Sequence, residues 1–472
     1  MVIGLEVHAE LATATKLFCG CRNEFGGEPN SHCCPVCLGL PGALPVLNEQ
    51  AVTLAARLGL ALGCEVKPSS FHRKNYFYPD MPKDFQISQF DEPINVDGEL
   101  VLPDGHVVGI ERAHLEEDTG KTSHVGSTGR IHGSDYSLVD YNRSGVPLVE
   151  IVSRPDIRTA DQARAYVAEL RAVLVATGAS DGRMEEGSMR VDANVSVRRG
   201  EDQPFGTRCE IKNLNSLRSL GRAIEYEAER QVLLIEAGEA VAQETRHWDE
   251  DRGVTLTMRS KEEAYDYRYF PEPDLVPIAP SAALLDELRA GMPMLPAARR
   301  ERLVALFTER SDALADQLVT VVDQGLDDLL VAAVEAGADA KLAAARVANE
   351  LAGAPDGQAQ GLEASSFAAA LAMEQSGELS ATQSKKVLAV LLERGGDPKA
   401  IAAELGFEQM GDDVLTSAVA QAVAGNPDEW SRYAGGEDKL AQFFIGQVMK
   451  ATKGQANGKA VVAELARLRD AG

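Results

Sequence analysis

The feature that most constrains the fold is a change of period near residue 280. Before it, segments in which apolar residues recur at every second position are interspersed with helices; after it, apolar residues recur almost wholly at helical spacing. In Val2–Leu11, the residues Ile3, Leu5, Val7, Ala9 and Leu11 share one face, while Glu6, His8 and Glu10 share the other. That is the signature of a strand with one buried side. Arg190–Arg198 alternates likewise, with Val191, Ala193, Val195 and Val197 set against Asp192, Asn194 and Ser196. Asp140–Pro147 reads as a turn between strands Tyr136–Asp140 and Leu148–Val152. Helices are expected at Asn48–Leu62, Thr159–Thr177 and Ser216–Ala237.

The proline-rich run Phe270–Pro280 closes this half. Beyond it, Leu284–Ala290, Pro296–Thr308 and Ser311–Val322 carry helical spacing, and Gly353–Gly361 reads as a polar linker. Ser365–Gly472 reads as short helices between glycine-rich turns, ending in Gln442–Arg469. The expected class is α+β. A β-rich cradle over 1–290, an antiparallel sheet with flanking helices, precedes an all-α helical domain over 291–400 and a small all-α tail over 401–472. A chain of 472 residues exceeds what one core sustains, so several domains are the expectation.

Four cysteines carry the next constraint. Cys19-Gly20-Cys21 and Cys34-Pro35-Val36-Cys37 are two close thiol pairs separated by twelve residues. This spacing suits a tetrahedral zinc site, and four thiolates fill its coordination sphere, which makes such a site structural. Cys33 is a spare neighbour, while Cys64 and Cys209 read as core residues. Seven cysteines with four at metal spacing point to a reducing cytoplasm rather than a disulfide framework. No run nears the ~20 apolar residues of a membrane span. Met1 leads straight into the first strand, so neither a leader peptide nor membrane attachment is expected.

A decoy lies close by. His8-Ala9-Glu10 followed by a CxxC pair is similar to zinc deaminases, in which one His and two Cys bind zinc. That signature needs Pro directly before the CxxC, where Cys33 stands, and it leaves Cys19 and Cys21 without purpose.

The polar strand faces offer other chemistry. Glu6 and His8 share a face, His114-Leu115-Glu116-Glu117-Asp118 ends a second strand, and Glu150 lies within the apolar run Leu148–Val152. A carboxylate in such a run is costly unless paired or bound to a cation. Oxygen ligands with one imidazole, drawn from separate strands, suit Mg²⁺ holding phosphates; the bland alternative is solvated strand faces with one ion pair. Parity favours Glu116 over Glu117 as the inward residue, because Glu116 shares a face with His114.

Phe71–Pro79 and Lys83 interleave cations with aromatics, as nucleotide or RNA-end surfaces do. Gly206–Ser216 adds polar groups at a strand-to-helix junction. Both stretches also read as ordinary loops with snorkelling cations. There is no GxxxxGK[ST], HExxH or GxSxG, and no Ser or Cys nucleophile announces itself.

Nine ordered segments together resemble a known family. They are Val2–His8, Cys34–Gly42, Arg73–Pro79 (RKNYFYP), Gln86–Asp91, Leu115–Lys121 (LEEDTGK), Asp140–Glu150 (DYNRSGVPLVE), Met184–Ser196, Glu210–Ser216 and Asp266–Asp274 (DYRYFPEPD). They resemble the GatB family, one of the component chains of aspartyl/glutamyl-tRNA amidotransferases. Phe444–Gln455 (FIGQVMKATKGQ) resembles the YqeY-like tail that the family carries. GatE-type relatives have a large insertion for which this chain has no room.

The resemblance implies a ligase that forms carbon–nitrogen bonds in protein biosynthesis. ATP phosphorylates the side-chain carboxylate of misacylated Glu-tRNA(Gln) or Asp-tRNA(Asn). Ammonia from a glutaminase partner, GatA, then displaces phosphate, and a small third subunit, GatC, clasps the other two. By resemblance His8, Glu150 and the Glu116/Glu117 pair are the Mg²⁺ ligands, with Glu6 beside them. Lys74 and Lys83, with one glutamate of that pair, resemble the polar residues at the exit of an ammonia channel. Parity and position add Asp192, Asn194 and Lys212 as candidates to orient nucleotide or aminoacyl end. The cysteines match the family's zinc knuckle, which some members lack.

Two departures stand out. Relatives carry a few residues ahead of the first strand, so Met1 reads as a truncated or alternative start. Gly126–Gly133 also reads as longer than its counterparts. The formal charge of -25 argues against general nucleic-acid binding. Lys450, Lys453 and Lys459 in the tail are therefore the expected local tRNA contacts.

Overall fold

The computed structural model describes residues 1–126, 134–200, 202–260, 267–355, 357–407, 412–452, 456 and 458–471. The chain forms two compact units, Met1–Ala297 and Ala298–Gly472.

The first unit is built on a large mixed sheet. In chain order its elements are β1 (Val2–Glu10), α1 (Glu49–Ala61), β2 (Glu65–Val66), β3 (His72–Asn75), β4 (Phe85–Ser88), β5 (Asn95–Val101) and β6 (Val107–Glu117). There follow β7 (Lys121–Gly126), β8 (Ser134–Asp140), β9 (Pro147–Ser153), α2 (Ala160–Ala176), β10 (Met189–Ser196), β11 (Cys209–Leu214) and α3 (Leu217–Glu236). β12 (Glu244–Asp249), β13 (Val254–Ser260), β14 (Phe270–Pro271) and α4 (Ala282–Ala290) complete it. The main path of the sheet runs β13-β12-β11-β10-β1-β9-β6-β4-β3-β14, and β5 pairs with both β2 and β6.

The alternation in Val2–Leu11 places β1 at the centre. Ile3, Leu5, Val7 and Ala9 are fully buried, packed with Leu54, Leu58, Tyr166, Leu170, Ala223 and Ile224 from α1, α2 and α3. The opposite face keeps Glu6, His8 and Glu10 half-buried. The three helices start where capping chemistry predicts: Asn48, Thr159 and Ser216 each accept a hydrogen bond from a backbone N–H of the first turn.

Two features differ from the reading of the sequence. The sheet is antiparallel except for one parallel pair, β11 with β12. The 20-residue helix α3 lies between them and supplies the crossover that a parallel pair requires. The strands flanking Asp140–Pro147 do not pair with each other. β8 joins β7 in a separate two-stranded ribbon, while β9 enters the main sheet between β1 and β6. Burial explains the split. Leu148, Val149, Ile151 and Val152 are all buried and suit a strand covered on both faces, whereas Tyr136 and Leu138 of β8 stay exposed. The segment Gly126–Gly133, expected to be longer than its counterparts, lies outside the described residues except for Gly126, which ends β7.

The second unit is helical throughout its described residues and contains two apolar clusters. One runs from Leu303 to Ala402; the other joins Val419, Tyr433, Phe444, Val448 and Leu465. The helix beginning at Pro296 stops at Val304 rather than Thr308, where tight turns carry Leu306 and Phe307 towards the first cluster. Within 442–469 the structure has two helices, Leu440–Ala451 and Gly458–Ala471. Among the described residues no helix is long and apolar enough to cross a membrane.

Candidate active site and cysteine centre

Strand register builds the first site. His8 stands opposite Arg190 on β10 and opposite Glu150 on β9, and Glu150 in turn stands opposite His114 on β6. The four side chains thus form one cross-strand row on the polar face. Glu116, two residues along β6 from His114, projects on that same face diagonal to Glu150. His8 Nε2 lies 3.7 Å from Glu116 Oε1 and 3.7 Å from Glu150 Oε2. One donor atom from each of His8, Glu116 and Glu150 falls within 4.8 Å of the others, close enough to share a cation.

Burial, then the charge of Glu150, pushes Glu116 up to about 8. Burial also raises Glu6, reinforced by Glu150, Glu210 and Asp192, and lowers His8 to about 4. Two carboxylates and a neutral imidazole suit a hard divalent cation, which would relieve this repulsion. The residues present therefore fit Mg²⁺.

Around this row opens a cleft of about 480 Å³, lined by His8, Lys74, Glu116, Arg190, Asp192 and Lys212 among others. Lys212 Nζ donates to Asp192 Oδ2 at 2.8 Å and lies 3.0 Å from Glu210 Oε1. Burial alone would lower Lys212, but Asp192 and Glu210 hold it above its ordinary value. A second hollow of about 520 Å³, lined by Gly4, Glu6, Asn194, Phe205 and Arg208, adjoins it. Asn194 Nδ2 donates to Glu6 Oε1 at 2.9 Å at that edge. The β10–β11 register shifts between Val191 and Ala193, and Asn213 adopts φ +69° beside the cleft. Such bulges re-aim side chains near functional sites.

Glu117 points to the other face of β6. Its carboxylate accepts from Lys83 Nζ at 2.6 Å and from the backbone N–H of Ile87 at 2.9 Å. Lys74 is not part of that pair; its Nζ sits 4.8 Å over the Tyr267 ring and it lines the cleft.

The cysteine centre is a separate structure. Cys37 Sγ lies 3.5 Å from Cys19, 3.6 Å from Cys34 and 3.7 Å from Cys21. Zinc–sulfur bonds of about 2.3 Å in a tetrahedron place sulfurs roughly 3.8 Å apart, so the four thiols fit zinc. Cys33 stands aside, 3.9 Å from Asn142 Oδ1, while Cys64 and Cys209 are buried. His8 faces carboxylates rather than these thiols, so the deaminase arrangement does not form. Lys16 is fully buried against the centre; its Nζ donates to the carbonyls of His32 (2.8 Å) and Tyr141 (3.1 Å) and lies 3.6 Å from Cys37 Sγ. A hydrogen bond from Cys19, opposed by burial and aided by Lys16, pulls Cys37 down to about 4. Gly39 at φ +62° packs on Lys83; a Cβ there would come within 2.6 Å of Lys83 Cγ. The cysteine loop thus braces the stem of the lysine that pairs with Glu117.

Known proteins place this geometry in context. A family profile described as the GatB/GatE catalytic domain matches residues 1–286, and one described as a GatB domain matches 328–468. The chain belongs to the GatB/GatE family. It is 51% identical over 475 residues to the B-type subunit of the aspartyl/glutamyl-tRNA(Asn/Gln) amidotransferase of Frankia casuarinae, covering 98% of this chain and 94% of that protein. It is 50% identical over 480 residues to the corresponding subunit of Anaeromyxobacter dehalogenans (99% and 98% covered), and 47% identical over 470 to that of Carboxydothermus hydrogenoformans (98% and 96%).

His8, Glu116 and Glu150 meet, with Glu6, Lys74, Asp192, Asn194 and Lys212 around them; Glu117 and Lys83 pair elsewhere. In the tail, Lys450 is exposed at the end of its helix, Lys453 lies outside the described residues, and Lys459 belongs to the last helix with its side chain outside them. Sequence reasoning passed over Arg190 and Asp118, which pair at 2.8 Å at the cleft, and over Lys16. Parity could have found Arg190, since it shares a face with Asp192 and Asn194. Nothing local marks Lys16.

Proposed function

We propose that this chain is the catalytic GatB component of a glutamine-dependent tRNA amidotransferase that converts Glu-tRNA(Gln) or Asp-tRNA(Asn) into the correct amide. The observation that carries the reading is the cross-strand cluster of His8, Glu116 and Glu150 beside a cleft lined by both acidic and basic side chains, in a chain whose relatives are named for that activity.

The reaction needs a leaving group on a carboxylate. An oxygen of the tRNA-bound side chain attacks the γ-phosphorus of ATP, and the bond to ADP breaks. Ammonia then attacks the acyl carbon, the carbon–oxygen bond breaks, and phosphate leaves with a proton lost from nitrogen. His8, Glu116 and Glu150 would hold Mg²⁺, which neutralises phosphate charge during transfer. Lys74, Arg190 and Lys212 line the same cleft and supply positive charge for the phosphates. Asp192 and Asn194 orient the nucleotide or aminoacyl end at the divide between the two hollows, and the larger hollow has room for a nucleoside beside Phe205. Lys83 and Glu117, with Lys74, offer a polar exit for ammonia.

The remaining assignments follow from the same reading. GatA supplies ammonia, and GatC joins the two. The zinc-filled cysteine centre is structural, and the compartment is the cytoplasm, where seven free thiols stay reduced. The all-α part is read as a helical domain (291–400) and a YqeY-like tail (401–472); two separate apolar clusters suit two bodies, although Ile401 and Ala402 pack with the first, which moves the division beyond residue 402. Lys450, Lys453 and Lys459 contact tRNA in the tail, so affinity for misacylated tRNA should fall at least tenfold between 50 and 200 mM salt by an order-of-magnitude estimate. Affinity that stays flat over that range sinks this patch.

The deciding experiment is co-purification with GatA and GatC, followed by ATP- and glutamine-dependent conversion of each misacylated tRNA. A scaffold that merely presents tRNA keeps full activity when Glu150 becomes Ala. The catalytic reading requires that it be lost.

A further inference from the structure

His114 stands in the cation row without a role in the reading so far. It is fully buried, and among the described residues neither ring nitrogen has a hydrogen-bond partner. Its Nε2 lies 3.5 Å from Glu150 Oε2 and 3.9 Å from Glu116 Oε2. Register places it directly across from Glu150, on the side away from His8. The ring is fixed edge-on against Phe90 at 6.3 Å and 80°, and Arg112 lies 4.8 Å over Phe90.

An imidazole carries at least one N–H in either protonation state. Burying that N–H without an acceptor is costly, so a position like this calls for an explanation. Two carboxylate oxygens of the proposed cation ligands lie within reach of its Nε2. A metal-ligating carboxylate is itself oriented by hydrogen bonds from outside the coordination sphere. We propose that His114 is the positioning residue of the cation site, its Nε2–H donating to Glu150 and so deciding which oxygen faces the cation. The inference rests on the reading of His8, Glu116 and Glu150 as that site.

The test uses the full-length chain with Mn²⁺ alone as probe, following free Mn²⁺ by electron paramagnetic resonance. His114→Gln puts an amide N–H near the place of Nε2, His114→Asn puts one near Nδ1, and His114→Leu removes both. His114→Leu and His114→Asn should lose about 10–100-fold in Mn²⁺ affinity, with His114→Gln within about threefold of the parent. Parent-like affinity in the Leu variant overturns the proposal, as does a Gln variant that falls as far as Leu. If the Leu variant does not fold, the Gln and Asn variants decide between themselves. Glu150→Ala separates the two levels: should it leave Mn²⁺ affinity unchanged, the cation reading itself fails, whatever His114 does.

Discussion

The two centres of the cradle are built in opposite ways. The cysteine centre draws all four ligands from one stretch between Cys19 and Cys37. His8, Glu116 and Glu150 come from three strands that adjoin only because β9 is inserted between β1 and β6. The first needs one loop to close. The second needs two strand registers to hold, and a slip of one residue in either would turn the ligands to the wrong face. Charge differs as well. The thiols have buried Lys16 beside them, whereas Glu116 is buried beside the charge of Glu150.

The contrast can be broken most sharply at Glu150. In the assembled three-subunit complex, Glu150→Ala should reduce ATP-dependent amidation by about 10³-fold while zinc content by atomic absorption stays the same. Lys83→Met should come next, costing about 3 kcal/mol in urea unfolding because it strands the buried Glu117 carboxylate; Lys83→Met with Glu117→Leu should recover most of it.

Burial of Glu116, reinforced by the charge of Glu150, predicts a pH effect of known sign. Glu116 titrates near 8 in the folded chain against about 4.5 unfolded, so the folded state holds the proton more tightly. Its contribution is therefore full below about 4.5 and lost as pH rises towards 8. In chelator, Glu116→Gln should stabilise the chain by about 1–2 kcal/mol at pH 8 and by nothing near pH 4.5, read from denaturant melts. The smallest effect should come from the knuckle. A Cys19→Ser/Cys37→Ser variant should lose zinc, still fold, and keep amidation within about threefold, a barrier change under ~1 kcal/mol. A tenfold loss would mean that the contact of Gly39 with Lys83 couples the two centres more tightly than their separate construction suggests.

Much of the cradle was legible because its signals are local. Alternation gave β1 and β10 within two residues, and Asn48, Thr159 and Ser216 marked three helix starts. Parity placed Glu116 with His114 and turned Glu117 away. What local patterns missed was partner choice. The turn at Asp140–Pro147 suggested neighbouring strands, yet the buried apolar character of β9 took it into the main sheet and left β8 in the ribbon. Lys74 and Lys83 look equivalent in sequence, but only Lys83 pairs with Glu117.

By itself the sequence determined the class, several central strands and helices, the cysteine spacing and which residues share a strand face. Each depends on residues close together along the chain, where a period of 2 or 3.6 or a fixed thiol spacing carries the information. Only the tertiary structure decided that His8 meets Glu116 and Glu150, that His114 stands opposite Glu150, and that Lys16 lies buried beside Cys37. Those meetings depend on which strands become neighbours and in what register. That choice is made by burial of the whole sheet against its helices, which no single segment encodes.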